Sequence, residues 1–190
     1  MFDFIRFTPT DLPDLGFKSY VIFDGKCAIA LTANNAKELR EKLKKIKDNI
    51  LVGVVGKNPE VCREAIMRKK VDILLDCIER ELDYATIKLA AEKDVTIELG
   101  LSKFLKSNRS ERLKLFDALR TEIKVINKFD TPFVVSSAAE NMWEMRTRKQ
   151  IEMFFSFFGC NILKARKSAE RVVRRYFDKN YIMDGFEILE

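Results

Sequence analysis

What most restricts the fold of this chain is a recurrence of short β-forming runs separated by amphipathic helical ones. The runs Ile50–Val55, Val71–Leu75 and Val95–Leu99 begin about 20 to 25 residues apart, and charged segments of helical periodicity fill the gaps. Parallel neighbours need a crossover of that order, usually through a helix, whereas antiparallel neighbours are joined by tight turns. Ile50–Val55 shows no polar alternation, which suits a parallel strand buried on both faces.

The same reading extends along the chain. Phe2–Ile5 and Ser19–Phe23 are predicted strands, and Cys27–Leu31 is a third candidate. Asn35–Asp48 is predicted as a helix with Leu39, Leu43 and Ile46 on one face; Pro59–Lys69 and Tyr84–Lys93 are helices too, the former with Pro where its missing N–H costs little. Ser102–Lys128 is helical with a break at Ser107-Asn108, its second part capped by Ser110. Pro132–Val135 is a strand ending at Ser136-Ser137, and helices over Arg148–Phe158 and Asn161–Asn180 follow. Tyr181–Glu190 reads as a last strand. The expected fold is α/β: a compact TIM-like β/α barrel of seven to eight mostly parallel strands with extra C-terminal helices, one domain over residues 1–190. An open doubly wound sheet is the rival, but neither the dinucleotide-binding glycine pattern nor a P-loop occurs.

Charge separates the two halves. Residues 1–100 hold 17 basic and 17 acidic side chains, while residues 101–180 hold 18 basic against 9 acidic. That local excess favours a polyanion, because neutralised phosphates release condensed counterions. The chain has no histidine, the commonest residue for acid–base work near neutral pH and a frequent metal ligand. Cys27, Cys62, Cys77 and Cys160 follow no paired spacing and read as buried or half-buried thiols in a reducing cytoplasm. No membrane span and no targeting signal are expected, since Met1–Arg6 carries charge inside the one candidate apolar run.

In a β/α barrel the functional mouth lies at the C-terminal strand ends, here Asp24, Gly56–Asn58, Asp76, Gly100 and Ser136-Ser137. The two serines have no histidine to activate them and are expected to satisfy backbone groups. Lys164–Arg175 has six basic residues and one acidic in twelve. On a helix, Lys164, Lys167, Arg171, Arg174 and Arg175 form a face opposite Ala165, Ala169, Val172 and Val173, and that basic face is expected to be free for a polyanion. The Lys37–Lys47 helix reads as plain solubilising surface. Trp143, the lone tryptophan, reads as a core plug, although Arg146, Arg148 and Lys149 beside it make a plausible RNA-binding loop.

The stretch Phe133–Arg148, with Ser-Ser-Ala, then Trp143, then Arg146 and Arg148, resembles the signature of the archaeal ribonuclease P protein component 3 family; Gly100–Arg112 resembles the family's strand, turn and basic helix. The resemblance covers essentially the whole chain. It implies a TIM-like barrel without metal ligands, acting as a noncatalytic subunit of the enzyme that removes the 5′ leader of precursor tRNA. The implied partners are ribonuclease P RNA, precursor tRNA through the holoenzyme, and the component 2 protein as a heterotetramer. The implied cofactor is magnesium held by the RNA, with none bound by the protein, and no membrane is involved. RNA-binding positions carried over from the family are Arg63, Arg80, Lys93, Arg146 and Arg166, with Lys103, Arg112, Arg148, Lys149, Lys164 and Lys167 behind them. Two other readings stand beside it: a metal-dependent phosphoesterase of the same barrel superfamily using Asp24, Asp76 and Glu98, and a barrel that binds another protein through exposed apolar surface.

Overall fold

The computed structural model describes residues 1–183 and 186–188. The strands β1 (Phe2–Ile5) and β2 (Ser19–Ile22) pair in parallel, and β3 (Ala28–Ala33), β4 (Leu51–Gly56), β5 (Ile73–Leu75), β6 (Thr96–Gly100) and β7 (Phe133–Ser136) form a second parallel sheet in that spatial order. The two sheets meet where β1 runs beside the end of β7: Arg6 N–H donates to Ala139 O at 2.8 Å, and Ser137 N–H donates to Asp3 Oδ1 at 2.7 Å. Seven strands thus wrap in the order β2-β1-β7-β6-β5-β4-β3, a TIM-like arc.

Helices follow the strands as the βα spacing requires: α1 (Ala36–Lys44), α2 (Pro59–Ile66), α3 (Tyr84–Lys93), α4 (Ser102–Lys106), α5 (Arg109–Phe129), α6 (Arg148–Phe157) and α7 (Ile162–Phe177). Asn35, Asn58, Asp83 and Asn161 each accept a backbone N–H at the start of α1, α2, α3 and α7, a contact worth about 1 kcal/mol per helix. The cap of α5 is Asn108, two residues before the predicted Ser110. Asn108 and Glu111, three apart, form a reciprocal capping box that satisfies two backbone donors where Ser110 would satisfy one.

Strand side chains alternate between two cores. Val52, Val54, Leu74, Ile97, Leu99 and Val135 point outward under the helices, against Leu39, Val61, Ile87, Leu119, Ile123 and Phe155. Phe4, Leu51, Ile73, Leu75 and Val134 point inward, joined by Phe23. The interior is tightly filled: a Cβ on Gly53 would sit 2.6 Å from Leu75 Cδ1 and 2.9 Å from Phe23 Cε1, so only glycine fits there. Phe23 follows β2 and reaches β4, packing across the seam between the sheets.

α7 covers the N-terminal ends of the strands. Ala169, Val172 and Val173 join the inward core, and Tyr176 donates to Asp72, just before β5, at 2.8 Å. The described parts of the C-terminal segment, β8 (Tyr181–Met183) and β9 (Phe186–Glu187), pair antiparallel with each other. They make a short hairpin, not a strand of the main arc as the sequence suggested; residues 184–185 and 189–190 of that prediction lie outside the described residues. Among the described residues, no helix is long and apolar enough to cross a membrane.

Candidate nucleic-acid interface

The C-terminal strand ends converge on a buried charge network. Glu98 of β6 accepts from Ser136 Oγ at 2.6 Å and from Asp76 N–H at 2.7 Å, and is ion-paired to Arg6. Asp76, after β5, accepts from Gly100 N–H at 2.8 Å and lies 2.9 Å from Lys103 Nζ. Arg80, four residues beyond Asp76, donates to Glu98 O at 2.7 Å, and its Nη2 stands 3.3 Å from Asp76 and 3.5 Å from Glu122, close enough for charge pairing. Burial by itself would raise the Asp76 pKa, but Arg80 and Lys103 outweigh it and hold the carboxyl below the usual range. The same charges act in reverse on Arg80: burial works against its cation, and Asp76 and Glu122 outweigh that and raise its pKa.

Above this network opens a cavity of about 290 Å³ lined by Arg6, Lys57, Asp76, Lys103, Lys106 and Glu140. Its carboxylates already have cations: Lys57 pairs with Glu79 at 2.5 Å, and Lys106 with Glu140 at 2.6 Å. Asp24, the third ligand of the phosphoesterase reading, sits in an exposed turn and accepts from Lys26 N–H at 3.0 Å. Among the described residues no group of three or more Cys, Asp or Glu side chains is placed to hold a metal ion. The buried carboxylates of the mouth, Asp76 and Glu98, are neutralised by Arg80, Lys103 and Arg6. Ser136 and Ser137 donate to buried carboxylates, Glu98 and Asp3, at 2.6 and 2.7 Å, and Ser137 Oγ also accepts from Ala139 N–H at 3.3 Å, the backbone role the sequence suggested. Gly100 lets β6 approach the turn after β7, since a Cβ there would lie 2.5 Å from Ala138 Cβ.

The predicted basic residues fall into three groups. Arg80 and Lys103 are buried in the network just described, so neither is presented at the surface as the sequence suggested. Arg63, Lys164, Arg166 and Arg148 have carboxylate partners in Asp83, Asp130 and Glu152; Arg166 grips Glu152 with two bonds of 2.8 and 2.7 Å. Lys93, Arg112, Lys149 and Lys167 are exposed, and Arg146 is half-buried. None of these five is ion-paired among the described residues; Arg146 and Arg112 bond to backbone carbonyls of Trp143 and Ser107 instead.

Four of the five cations on the basic face of α7 are paired, and exposed Lys167 is in no ion pair among the described residues. Arg171 lies 2.8 Å and Arg175 3.3 Å from Asp94, Lys164 reaches Asp130, and Arg174 pairs with Asp178 at 3.1 Å. Asp94 and Asp130 end α3 and α5 in the left-handed conformation, which sets both carboxylates at the N-terminal strand ends where α7 docks. Two features run opposite to expectation. Trp143 is 89% exposed, not a core plug, and Cys27 is exposed while Cys62 and Cys160 are buried. The structure also gathers Arg40 and Lys44 of α1 with Arg68, Lys69 and Lys70 after α2 around a groove of about 660 Å³. Sequence reading missed it because the two runs are 24 residues or more apart; Glu64 holds Arg40 and Arg68, and Asp48 holds Lys70.

The structure is thus a parallel β/α arc with buried ion pairs at its mouth and, among the described residues, exposed cations that make no ion pair. Comparison with known proteins gives it a family. The sequence model described as RNase P subunit p30 matches residues 28–181. A relative from Archaeoglobus fulgidus, ribonuclease P protein component 3, is 61% identical over 191 residues, covering 99% of this chain and 96% of the relative. The protein of the same name from Methanococcus maripaludis is 25% identical, covering 85% of this chain and 74% of its own length. A chain of a cryo-EM structure of archaeal ribonuclease P with mature tRNA superposes with a TM-score of 0.77 at 19% identity, over 100% of this chain and 98% of that one, which establishes the shared fold. The chain belongs to the ribonuclease P subunit p30 family, and its role is that of a protein subunit of ribonuclease P.

Proposed function

We propose that this chain binds ribonuclease P RNA through exposed cations and supports removal of the 5′ leader of precursor tRNA without reacting groups of its own. The observation that carries the reading is the division of its charges. In the mouth Asp76 and Glu98 are held by Arg80, Lys103 and Arg6, while Lys93, Arg112, Lys149 and Lys167 are exposed and, like half-buried Arg146, in no ion pair among the described residues. Such cations lower repulsion between packed RNA phosphates, which otherwise demands high magnesium. The catalytic magnesium belongs with the RNA in this reading, and the place of action is the cytoplasm. The α1–α2 groove adds a second phosphate-binding surface, with Lys44 and Lys69 its unpaired members among the described residues.

The protein partner is component 2, as a heterotetramer. Exposed apolar side chains support a partner of this kind: Phe157 is 79% and Met153 63% exposed, four residues apart on one face of α6.

The test is leader cleavage by ribonuclease P RNA plus component 2, with and without this chain, across a magnesium titration. Activity should shift to lower magnesium when the chain is added. An unchanged curve with folded protein overturns the reading.

A further inference from the structure

Trp143 stands on a 3-10 turn, Met142–Glu144, that follows the C-terminal end of β7. The backbone beneath it is pinned from several sides. Asn141 Oδ1 accepts from Trp143 N–H at 3.0 Å, and Asn141 Nδ2 donates to Glu144 Oε1 at 2.5 Å. Glu144 Oε2 in turn accepts from Glu140 N–H at 3.0 Å, and Arg146 Nη1 donates to Trp143 O at 2.8 Å. Glu144 is buried, and Lys106 neutralises it together with Glu140. A turn held this firmly could fold its largest side chain inward. Instead the indole is 89% exposed, with Met142 beside it at 42%.

The surroundings say what the ring meets. An indole bound for an apolar pocket of another protein would be expected to have an apolar rim. Here the residues that follow are Arg146, Arg148 and Lys149, and the acids of the turn are already paired with Lys106. An exposed aromatic face followed closely in the chain by cations is complementary to a nucleotide: phosphate to the cations, base to the ring. Only an unpaired base offers its face for stacking; a base within a duplex is already stacked on its neighbours.

We propose that Trp143 is a stacking platform for an unpaired base of RNA, with Arg146 and Lys149 holding the adjoining phosphates. The proposal rests on the RNA-binding reading and adds to it a defined contact and a requirement for single-stranded RNA. Because Trp143 is the one tryptophan of the chain, its emission reports on this site alone.

The experiment titrates the full chain with a ribonuclease P RNA transcript, following tryptophan emission and, separately, the anisotropy of labelled RNA. Quenching should saturate along the anisotropy curve. Trp143→Ala should weaken binding by about fivefold or more, the range of base–aromatic stacking. Trp143→Phe, which keeps a π-face, should recover part of the loss, and Trp143→Leu, equally apolar without one, should not. RNA binding with unchanged emission and unchanged Trp143→Ala affinity overturns the platform while leaving the RNA reading intact. An emission change only when component 2 is added also overturns it, in favour of a protein contact. Absence of any RNA binding removes both readings together.

Discussion

Lys103 Nζ lies 2.9 Å from Asp76 Oδ2 with both side chains almost wholly shut from solvent. A buried carboxylate has to be neutralised, and in the mouth of this strand arc the neutralising charge is a lysine supplied by α4, assisted by Arg80. The pair explains how a barrel mouth rich in acids can be stable.

Removing that lysine leaves Asp76 with one partner fewer in a low-dielectric site. Lys103→Met is expected to lower the free energy of unfolding by roughly 3 to 5 kcal/mol, the usual cost of breaking a buried pair. Urea denaturation reads this as a lower midpoint at unchanged slope. Adding Asp76→Asn to Lys103→Met should recover much of the loss, since the uncompensated charge is then gone. Equal stability of Lys103→Met and the parent would show that Arg80 and the Gly100 N–H suffice for Asp76.

Asp3 gives a pH dependence of opposite sign to the common carboxylate. It is fully buried, and burial pushes its pKa up to about 7 despite bonds from Ser137 and Phe4. The folded pKa lies above the unfolded value of 3.8, so the folded state binds the extra proton between the two. The contribution of Asp3 is therefore full below pH 3.8 and is lost as pH rises to about 7, beyond which it is flat. Asp3→Asn keeps the shape and the acceptor for Ser137 N–H, and should be less sensitive to pH across that window. Chemical denaturation of both proteins at a series of pH values makes the comparison; parallel curves would count against a raised Asp3.

Arg166 and Arg146 separate a structural from a contacting arginine. Arg166 is committed to Glu152 by two bonds, whereas Arg146 holds only carbonyls of its own turn. Arg166→Ala should cost about 1 kcal/mol of stability with a small effect on the salt dependence of RNA binding. Arg146→Ala should reduce the slope of log affinity against log salt by about 0.7 to 0.9, one phosphate contact. Equal slopes for the two variants would remove the distinction.

Much of this was legible in the sequence, for physical reasons that also mark where reading stopped. The run at Leu51–Gly56 declared itself because a strand buried on both faces needs uninterrupted apolar side chains. The apolar stripe of α7 was equally plain, yet the fate of its other face was not. Its counterions, Asp94 and Asp130, come from helix ends 34 or more residues away, and no periodicity connects them. Arg80 shows the same limit: basic character says nothing of burial, although its spacing of four from Asp76 was a visible hint of pairing. Trp143 was misread because apolarity suggested the core, while its exposure is set by the turn that Asn141 and Glu144 fix.

The groove between α1 and α2 is the part of the surface that only the fold could assemble. Arg40, Arg68 and Lys70 have acids beside them, but Lys44 and Lys69 add charge that nothing among the described residues offsets. Both helices end there, at the pole opposite the mouth, so an RNA that engages this groove and the Trp143 loop together is held from two ends of the strands. Replacing Lys44 and Lys69 with Ala should leave stability within about 0.5 kcal/mol, as for exposed residues. RNA affinity should fall to a similar extent for all sequences, and the salt slope should drop by about 1.4 to 1.8, two phosphate contacts. Binding isotherms at several salt concentrations decide it. An unaltered slope would confine the RNA to the mouth side and make the groove lysines ordinary solvated charge.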